Sequence, residues 1–266
     1  MNQLEGMTAI VTGATRGIGL AIATAFVGEG ASVVLTGRSV EEGRKCAADL
    51  GAAAHFIACD LTRREQLEEL VAKTDETFGR IDILVNNAGD LHRANVLDLP
   101  LEEYERIHKL NLTAPFLLTQ LVGRIMVRQR SGGSIINITS VGSVLCRPGG
   151  TTYHVTKAGL AMLTRSSALD LGQYGIRVNA IAPGTFATEL MLASTSTTPG
   201  LIDNLVATTP LGRLGELKEL ASVATFLAGR ESSYVTGQSW FVDGGRTVLN
   251  PSLRAPASAE WLDFRR

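Results

Sequence analysis

Thr12-Gly13-Ala14-Thr15-Arg16-Gly17-Ile18-Gly19 stands directly between a short apolar run, Met7 to Thr12, and an apolar-periodic segment from about Leu20 to Gly28. Glycines at a strand-to-helix turn allow a tight bend. They also let backbone N–H groups at a helix amino terminus approach a pyrophosphate, where the helix dipole favours negative charge. The spacing departs from the common GxGxxG pattern, so the turn by itself fits close helix packing as well. Its place after the first strand supports a dinucleotide site.

Six further apolar runs follow: Ala31 to Thr36, Ala53 to Ala58, Ile81 to Asn86, Ser134 to Thr139, Ile176 to Ile181 and Gln238 to Val242. Between most of them the apolar residues recur at helical spacing. In Leu61 to Phe78, Leu67, Leu70, Val71 and Phe78 fall near one face, while Arg63, Arg64, Glu68 and Glu69 face water. Strands alternating with helices predict an α/β, doubly wound, seven-stranded parallel sheet with helices on both faces. With 266 residues, 28 glycines and only 5% aromatic side chains, one catalytic domain spanning 1–246 is expected. A substrate loop is expected at about 185–211, where LASTSTTPG breaks the pattern, and a tail at 247–266. That tail reads as a disordered end, or as a segment docking Trp261 and Phe264 on the substrate mouth or on a neighbouring subunit.

The formal net charge of -1, with both signs interspersed, offers no broad attraction for nucleic acid or an anionic membrane. Neither partner is expected. Cys46, Cys59 and Cys146 are far apart and odd in number, so they read as reduced thiols rather than a disulfide framework or a metal pair. Met1 to Gly6 lacks the features of a signal peptide. No apolar run approaches the roughly 20 residues of a membrane span, and a cytoplasmic protein is expected.

A dinucleotide-binding turn is usually followed, about 20 positions on, by a carboxylate that holds the ribose hydroxyls. Here the region reads Leu35-Thr36-Gly37-Arg38-Ser39, with no acid. Arg38, with Arg16 in the glycine turn, offers two guanidiniums to a 2′-phosphate, which favours NADP(H) over NAD(H). Asp60 ends the third strand, where it fits a helix cap or an acceptor for the adenine amine. Asn86-Asn87-Ala88-Gly89 ends the fourth, and its composition suits close approach of backbone to a ribose.

Tyr153-His154-Val155-Thr156-Lys157 opens an apolar-periodic helix, and the four-residue offset stacks phenol and ammonium on one face. A free tyrosine ionises near pH 10, and an adjacent cation lowers that value toward the range useful for acid/base catalysis. Lys157 is that cation, and an oxidised nicotinamide would add a second. Four tyrosines and five lysines produce such a pair by chance about one time in thirteen, so context decides. Ser140 stands thirteen residues before Tyr153, just past a strand, as a hydroxyl for the substrate oxygen or a turn cap. Asn111 interrupts an apolar helix with an amide that needs partners.

TGATRGIG, NNAG, Asn111, Ser140, YHVTK and Pro183-Gly184-Thr185-Phe186-Ala187-Thr188, in this order, resemble the short-chain dehydrogenase/reductase family over roughly residues 4 to 246. The resemblance implies a Rossmann-type fold with Tyr153 as general acid/base and Lys157 as the group that lowers its pKa and binds the nicotinamide ribose. It further implies that Ser140 polarises the carbonyl and that Asn111 holds a water in a proton relay. Residue readings and resemblance together give the cofactor contacts as Gly13, Thr15, Arg16, Gly17, Ile18, Gly19, Arg38, Ser39, Asp60, Leu61, Asn87, Ala88, Gly89, Tyr153, Lys157, Pro183, Gly184, Phe186 and Thr188. No metal is expected. Related enoyl reductases separate Tyr and Lys by six residues, against three here, which favours carbonyl chemistry.

The expected activity is NADPH-dependent reduction of a ketone to an alcohol by hydride transfer. Two alternatives stay open: oxidation of an alcohol with NAD(P), and a non-catalytic nucleotide-binding regulator. Val144, Leu145, Phe186, Leu190 and Met191 are candidates for an apolar substrate wall, and His92, Arg93 and Arg147 for contacts to a carboxylate or to water. The segments around Leu101 to Arg128 and Thr151 to Gln173 carry more apolar residues than one sheet-facing side uses. The family resemblance implies that they pack in a homotetramer or homodimer.

Overall fold

The computed structural model describes residues 2–188 and 200–249. Seven parallel strands, β1 (Thr8–Thr12), β2 (Ser32–Gly37), β3 (Ala54–Ala58), β4 (Ile83–Asn86), β5 (Gly133–Ile138), β6 (Ile176–Pro183) and β7 (Ser239–Val242), form one sheet. Their order is β3-β2-β1-β4-β5-β6-β7, which confirms the doubly wound α/β reading. The order reverses between β1 and β4, so the crevice at their carboxyl ends is the place where such sheets bind ligands.

Eight α-helices are described: α1 (Gly17–Gly28), α2 (Val40–Leu50), α3 (Arg64–Phe78), α4 (Leu101–His108), α5 (Ala114–Gln129), α6 (Thr151–Leu171), α7 (Leu201–Ala207) and α8 (Leu217–Ala228). Strand alternation divides the core into two layers. Ala9, Val11, Val33, Leu35, Val85 and Ile136 meet Ile22 and Phe26 of α1 and Leu220 and Leu227 of α8. Ile10, Val34, Leu84 and Ile135 meet Leu67 and Leu70 of α3 and Leu118 and Val122 of α5. Each large side chain so buried contributes about 1.5–3 kcal/mol.

Three expectations are corrected. First, α1 begins at Gly17, inside the glycine turn rather than near Leu20, so its free N–H groups belong to the turn itself. Second, the region 185–211 includes α7 and is not loop throughout. Third, Leu101–Gln129 forms a continuous helical run that by length and composition is apolar enough to cross a membrane, although half of its apolar window is buried within the fold. Leu190, Met191, Trp261 and Phe264 lie outside the described residues.

Candidate active site

The end of β1 and the end of β4 are tied by a few polar groups. Thr12 Oγ1 donates to the Val85 carbonyl (3.2 Å) and accepts from the backbone N–H of Asn87 (2.9 Å) and Ala88 (3.1 Å). Asn87 Nδ2 returns bonds to the carbonyls of Thr12 (2.8 Å) and Gly13 (3.0 Å). Gly13 has φ +61, and a Cβ there would lie 2.9 Å from Ala88 Cα, so only glycine fits. Gly17, also at positive φ, faces only Thr188 Cγ2, 3.8 Å from where its Cβ would stand. The glycine turn and the segment after β6 thus form two sides of a cleft suited to the phosphates of a dinucleotide.

The other expected cofactor residues line the same edge of the sheet. Arg16 and Arg38 are exposed, and Arg38 lies near enough to Asp60 to favour its carboxylate. Ser39 caps α2, accepting from Glu42 N at 3.3 Å. Asp60 does not cap α3, whose N-cap is Arg63. Its Oδ1 instead accepts from Thr62 N (3.0 Å) and Thr62 Oγ1 (2.8 Å). Burial pushes the Asp60 carboxyl up, but the Thr62 bonds and the charges of Arg63 and Arg38 leave it below its ordinary value. Leu61 is buried, Thr15 packs beside Gly37 and Ile18 against the core. Gly19 is closed in by the Gly13 carbonyl and Asn87, and Gly184 by Asp243. Pro183 ends β6.

Ser140, Tyr153, Lys157 and Asn111 converge from three elements. Ser140 follows β5 and caps the short turn Val141–Ser143, with its Oγ accepting from Gly142 N at 2.9 Å. It also hydrogen-bonds Tyr153. Lys157 is buried, donates from Nζ to the Ile138 carbonyl at 2.7 Å, and lies 5.7 Å from the Tyr153 ring centre. Burial lowers its pKa from 10.5 to about 8. Burial likewise raises the Tyr153 phenol, opposed by the Ser140 hydrogen bond and the Arg147 charge. The sequence expectation assigned that downward pull to Lys157.

Asn111 is fully buried in a π-helical turn, Lys109–Thr113, between α4 and α5. Its Oδ1 accepts from Asp90 N (3.0 Å), and its Nδ2 donates to the Asp90 carbonyl (2.9 Å) and to Thr156 Oγ1 (3.2 Å). A Cβ on Gly89 would sit 3.3 Å from both Asn111 Oδ1 and Lys157 Nζ, so the NNAG turn joins the glycine turn to the residues expected to carry the chemistry. Thr12, Gly142 and Thr156 were not singled out from the sequence. Single hydroxyls and an isolated glycine carry no spacing signal.

Around the mouth, His92 Nδ1 pairs with Glu103 at 3.3 Å, while Arg93 and Arg147 are exposed. Val144 and Leu145 are exposed as a substrate wall requires, but Phe186 is 6% exposed and packs in the core against Gly215. Phe186 is therefore withdrawn from that wall. It lines a cavity of about 100 Å³ shared with Thr209, Leu211 and Val242. A larger cavity of about 290 Å³ lies beside Leu61, Arg63, Lys109 and Thr113 and includes none of the four chemical residues.

Residues 13–247 match the family model described as enoyl-(acyl carrier protein) reductase. The chain is 40% identical over 251 residues to a gluconate 5-dehydrogenase of Gluconobacter oxydans, covering 92% of this chain and 96% of that one. It is 38% identical over 250 residues to a 3-oxoacyl-[acyl-carrier-protein] reductase of Thermotoga maritima, covering 92% and 100%. The crystal structure of a gluconate 5-dehydrogenase from Burkholderia cenocepacia J2315, in complex with NADP and tartrate, superposes with a TM-score of 0.88 at 38% identity, over 94% of this chain and 98% of that one. Likeness of this extent in sequence and fold establishes that the chain belongs to the short-chain dehydrogenase/reductase family and is an oxidoreductase.

Proposed function

We propose that this chain reduces a ketone to an alcohol at the expense of NADPH, with Tyr153 as the general acid. The observation that carries this reading is the convergence of Ser140 and Lys157 on Tyr153, beside the glycine cleft. When bound, the nicotinamide supplies the hydride. Ser140, with its oxygen engaged by Gly142 N, can turn its single O–H from Tyr153 to the substrate oxygen when substrate is bound. Tyr153 gives its proton to that oxygen as negative charge develops there. Lys157 has three N–H donors and spends one on Ile138, so the others serve the nicotinamide ribose and the phenol side. The Asn111 amide is committed to Asp90 and Thr156. Its share in holding a relay water therefore falls to the π-turn backbone, where i→i+5 pairing frees a carbonyl.

Arg16 and Arg38 are the residues for a 2′-phosphate, and neither has an ion pair among the described residues. The NADP of the Burkholderia enzyme agrees with this preference. Three residues between Tyr153 and Lys157 favour carbonyl over double-bond reduction. Oxidation of the corresponding alcohol is the second reading, favoured by relatives named as gluconate and sorbitol dehydrogenases, since the same groups serve both directions. The reading includes a cytoplasmic homotetramer or homodimer, in which Phe116, Met162 and Leu169, exposed on α5 and α6, are covered by another copy. Tyr153→Phe tests the mechanism on a panel of ketones and alcohols with both cofactors. Turnover should vanish while the fold and NADPH binding persist, and near-normal turnover would dispose of the proposal.

A further inference from the structure

We propose that the mouth of the active site holds a subsite for an acidic substituent of the substrate, a carboxylate or a phosphate monoester, formed by Arg93, Arg147 and Arg246. This deepens the carbonyl-reductase reading and rests on it. The three arginines come from three chain segments, which follow β4, β5 and β7. Two of these segments are fastened to each other. Ala94 N donates to the Gly149 carbonyl at 3.2 Å, and Ala94 forms an isolated bridge with Gly150. That contact fixes Arg93 and Arg147 near one another at the entrance to α6, which carries Tyr153 in its first turn. Arg246, whose NH1 donates to Thr208 Oγ1 at 3.1 Å, lies near enough to Arg147 to act on its charge.

The charges are in keeping with this grouping. Arg147, exposed at its surface but partly desolvated by its neighbours, is discouraged from holding its proton first by that desolvation and then by Arg93 and, more weakly, Arg246, while Tyr153 opposes them. Like charges gathered near a reacting phenol are costly unless an anion joins them. The nearby acids are engaged elsewhere. Asp90 and Glu103 are both bound by Arg106, at 2.9 Å each. The Asp243 carboxylate accepts from Gly245 N, Thr247 N and Thr247 Oγ1. Among the described residues, none of the three arginines has a carboxylate partner. Guanidiniums in this setting match the paired oxygens of a carboxylate or phosphate. Their position beside Tyr153 puts such a group on the same molecule as the reacting carbonyl.

The test compares three ketones with the NADPH-loaded full chain: 5-keto-D-gluconate, D-fructose 6-phosphate and neutral L-sorbose. One of the two anions should exceed L-sorbose in kcat/KM by roughly tenfold or more, and that advantage should shrink as salt rises. Which anion wins identifies the acidic group. Arg93→Gln is the diagnostic variant, because Arg147 also acts on Tyr153. It should raise KM for the preferred anion roughly tenfold, lower the anion-to-sorbose ratio, and change kcat less. A preference for L-sorbose, or a ratio that survives Arg93→Gln and Arg246→Gln, overturns the subsite. Calorimetric titration of D-gluconate and of inorganic phosphate into the NADPH complex reads binding without turnover. If no ketone or alcohol reacts, the catalytic reading fails. The subsite then stands if either anion binds and Arg93→Gln abolishes that binding, and falls if neither binds.

Discussion

The Lys157 ammonium donates a 2.7 Å hydrogen bond to the Ile138 carbonyl and stands 5.7 Å from the centre of the Tyr153 ring. One backbone carbonyl at the end of β5 therefore aims the cation of α6 at the acid one turn before it. The arrangement costs stability because the ammonium is buried with no carboxylate.

That cost has a pH signature. Burial brings the Lys157 pKa to about 8 from 10.5. Between these values the unfolded chain holds a proton that the folded chain has released, so this group makes stability rise with pH. Below about pH 8 both states are charged and the full penalty is present, on the order of 3 kcal/mol. Lys157→Met should remove this dependence. The measurement is the difference in Tm between the ligand-free proteins from pH 7 to 10. Taking the difference matters because the Cys59 thiol, pushed up to about 11 by burial, stays protonated in the folded chain and lowers stability above pH 9. A wild-type minus variant difference that does not rise across the window contradicts the assignment. Reductive turnover, which needs Lys157 charged and Tyr153 protonated, should decline as pH rises through about 8.

On the proposed reading, cofactor choice turns on the end of β2. Arg38 is exposed, and no acid follows the strand to hold ribose hydroxyls. Arg38→Asp should remove a charge-assisted bond to a 2′-phosphate and introduce repulsion, lowering the kcat/KM ratio of NADPH over NADH by roughly a hundredfold. An unchanged ratio would sink the NADP(H) assignment.

Much of this candidate site is legible because its residues sit at strand ends, and strands announce themselves. The runs ending at Thr12, Asn86 and Thr139 place the glycine turn, NNAG and Ser140 along one edge from the sequence alone. Phe186 was misread because a loop position says nothing about where an aromatic ring turns, and a packing glycine, Gly215, lay 29 residues away. The π-turn at Asn111 was signalled only as an interruption. The turn coincides with a tertiary contact that sequence does not show, the two-way bond between Asn111 and Asp90. Arg246 carries no signal in the sequence because Arg147, on whose charge it acts, is remote along the chain.

Gly142 is expected to act as a positioning residue. A Cβ there would lie 3.1 Å from Tyr153 Cε1 and 3.3 Å from both His154 Cδ2 and Ser140 Oγ. Gly142→Ala must push the tyrosine ring or the serine aside by a few tenths of an ångström. A displacement of this size at the reacting atoms should lower kcat by roughly tenfold or more, with little change in NADPH affinity. Wild-type kcat in the variant would show that the ring yields without consequence.

Asn111 separates a structural from an electrostatic role. Asn111→Ala removes the bonds to Asp90 N, the Asp90 carbonyl and Thr156 and leaves buried partners unsatisfied. A loss of about 2–4 kcal/mol in unfolding free energy is expected. Asn111→Asp keeps an acceptor for Asp90 N but places an anion close to Lys157, since one point near Gly89 lies 3.3 Å from both Asn111 Oδ1 and Lys157 Nζ. The carboxylate should favour the ammonium and raise the Lys157 pKa above about 8. The window in which stability climbs with pH then narrows from its lower edge, and the decline of reductive turnover moves to higher pH. If Asn111→Asp loses stability as Asn111→Ala does but leaves both pH profiles where the wild type has them, Asn111 acts only as the clamp on Asp90, and the coupling to Lys157 is refuted.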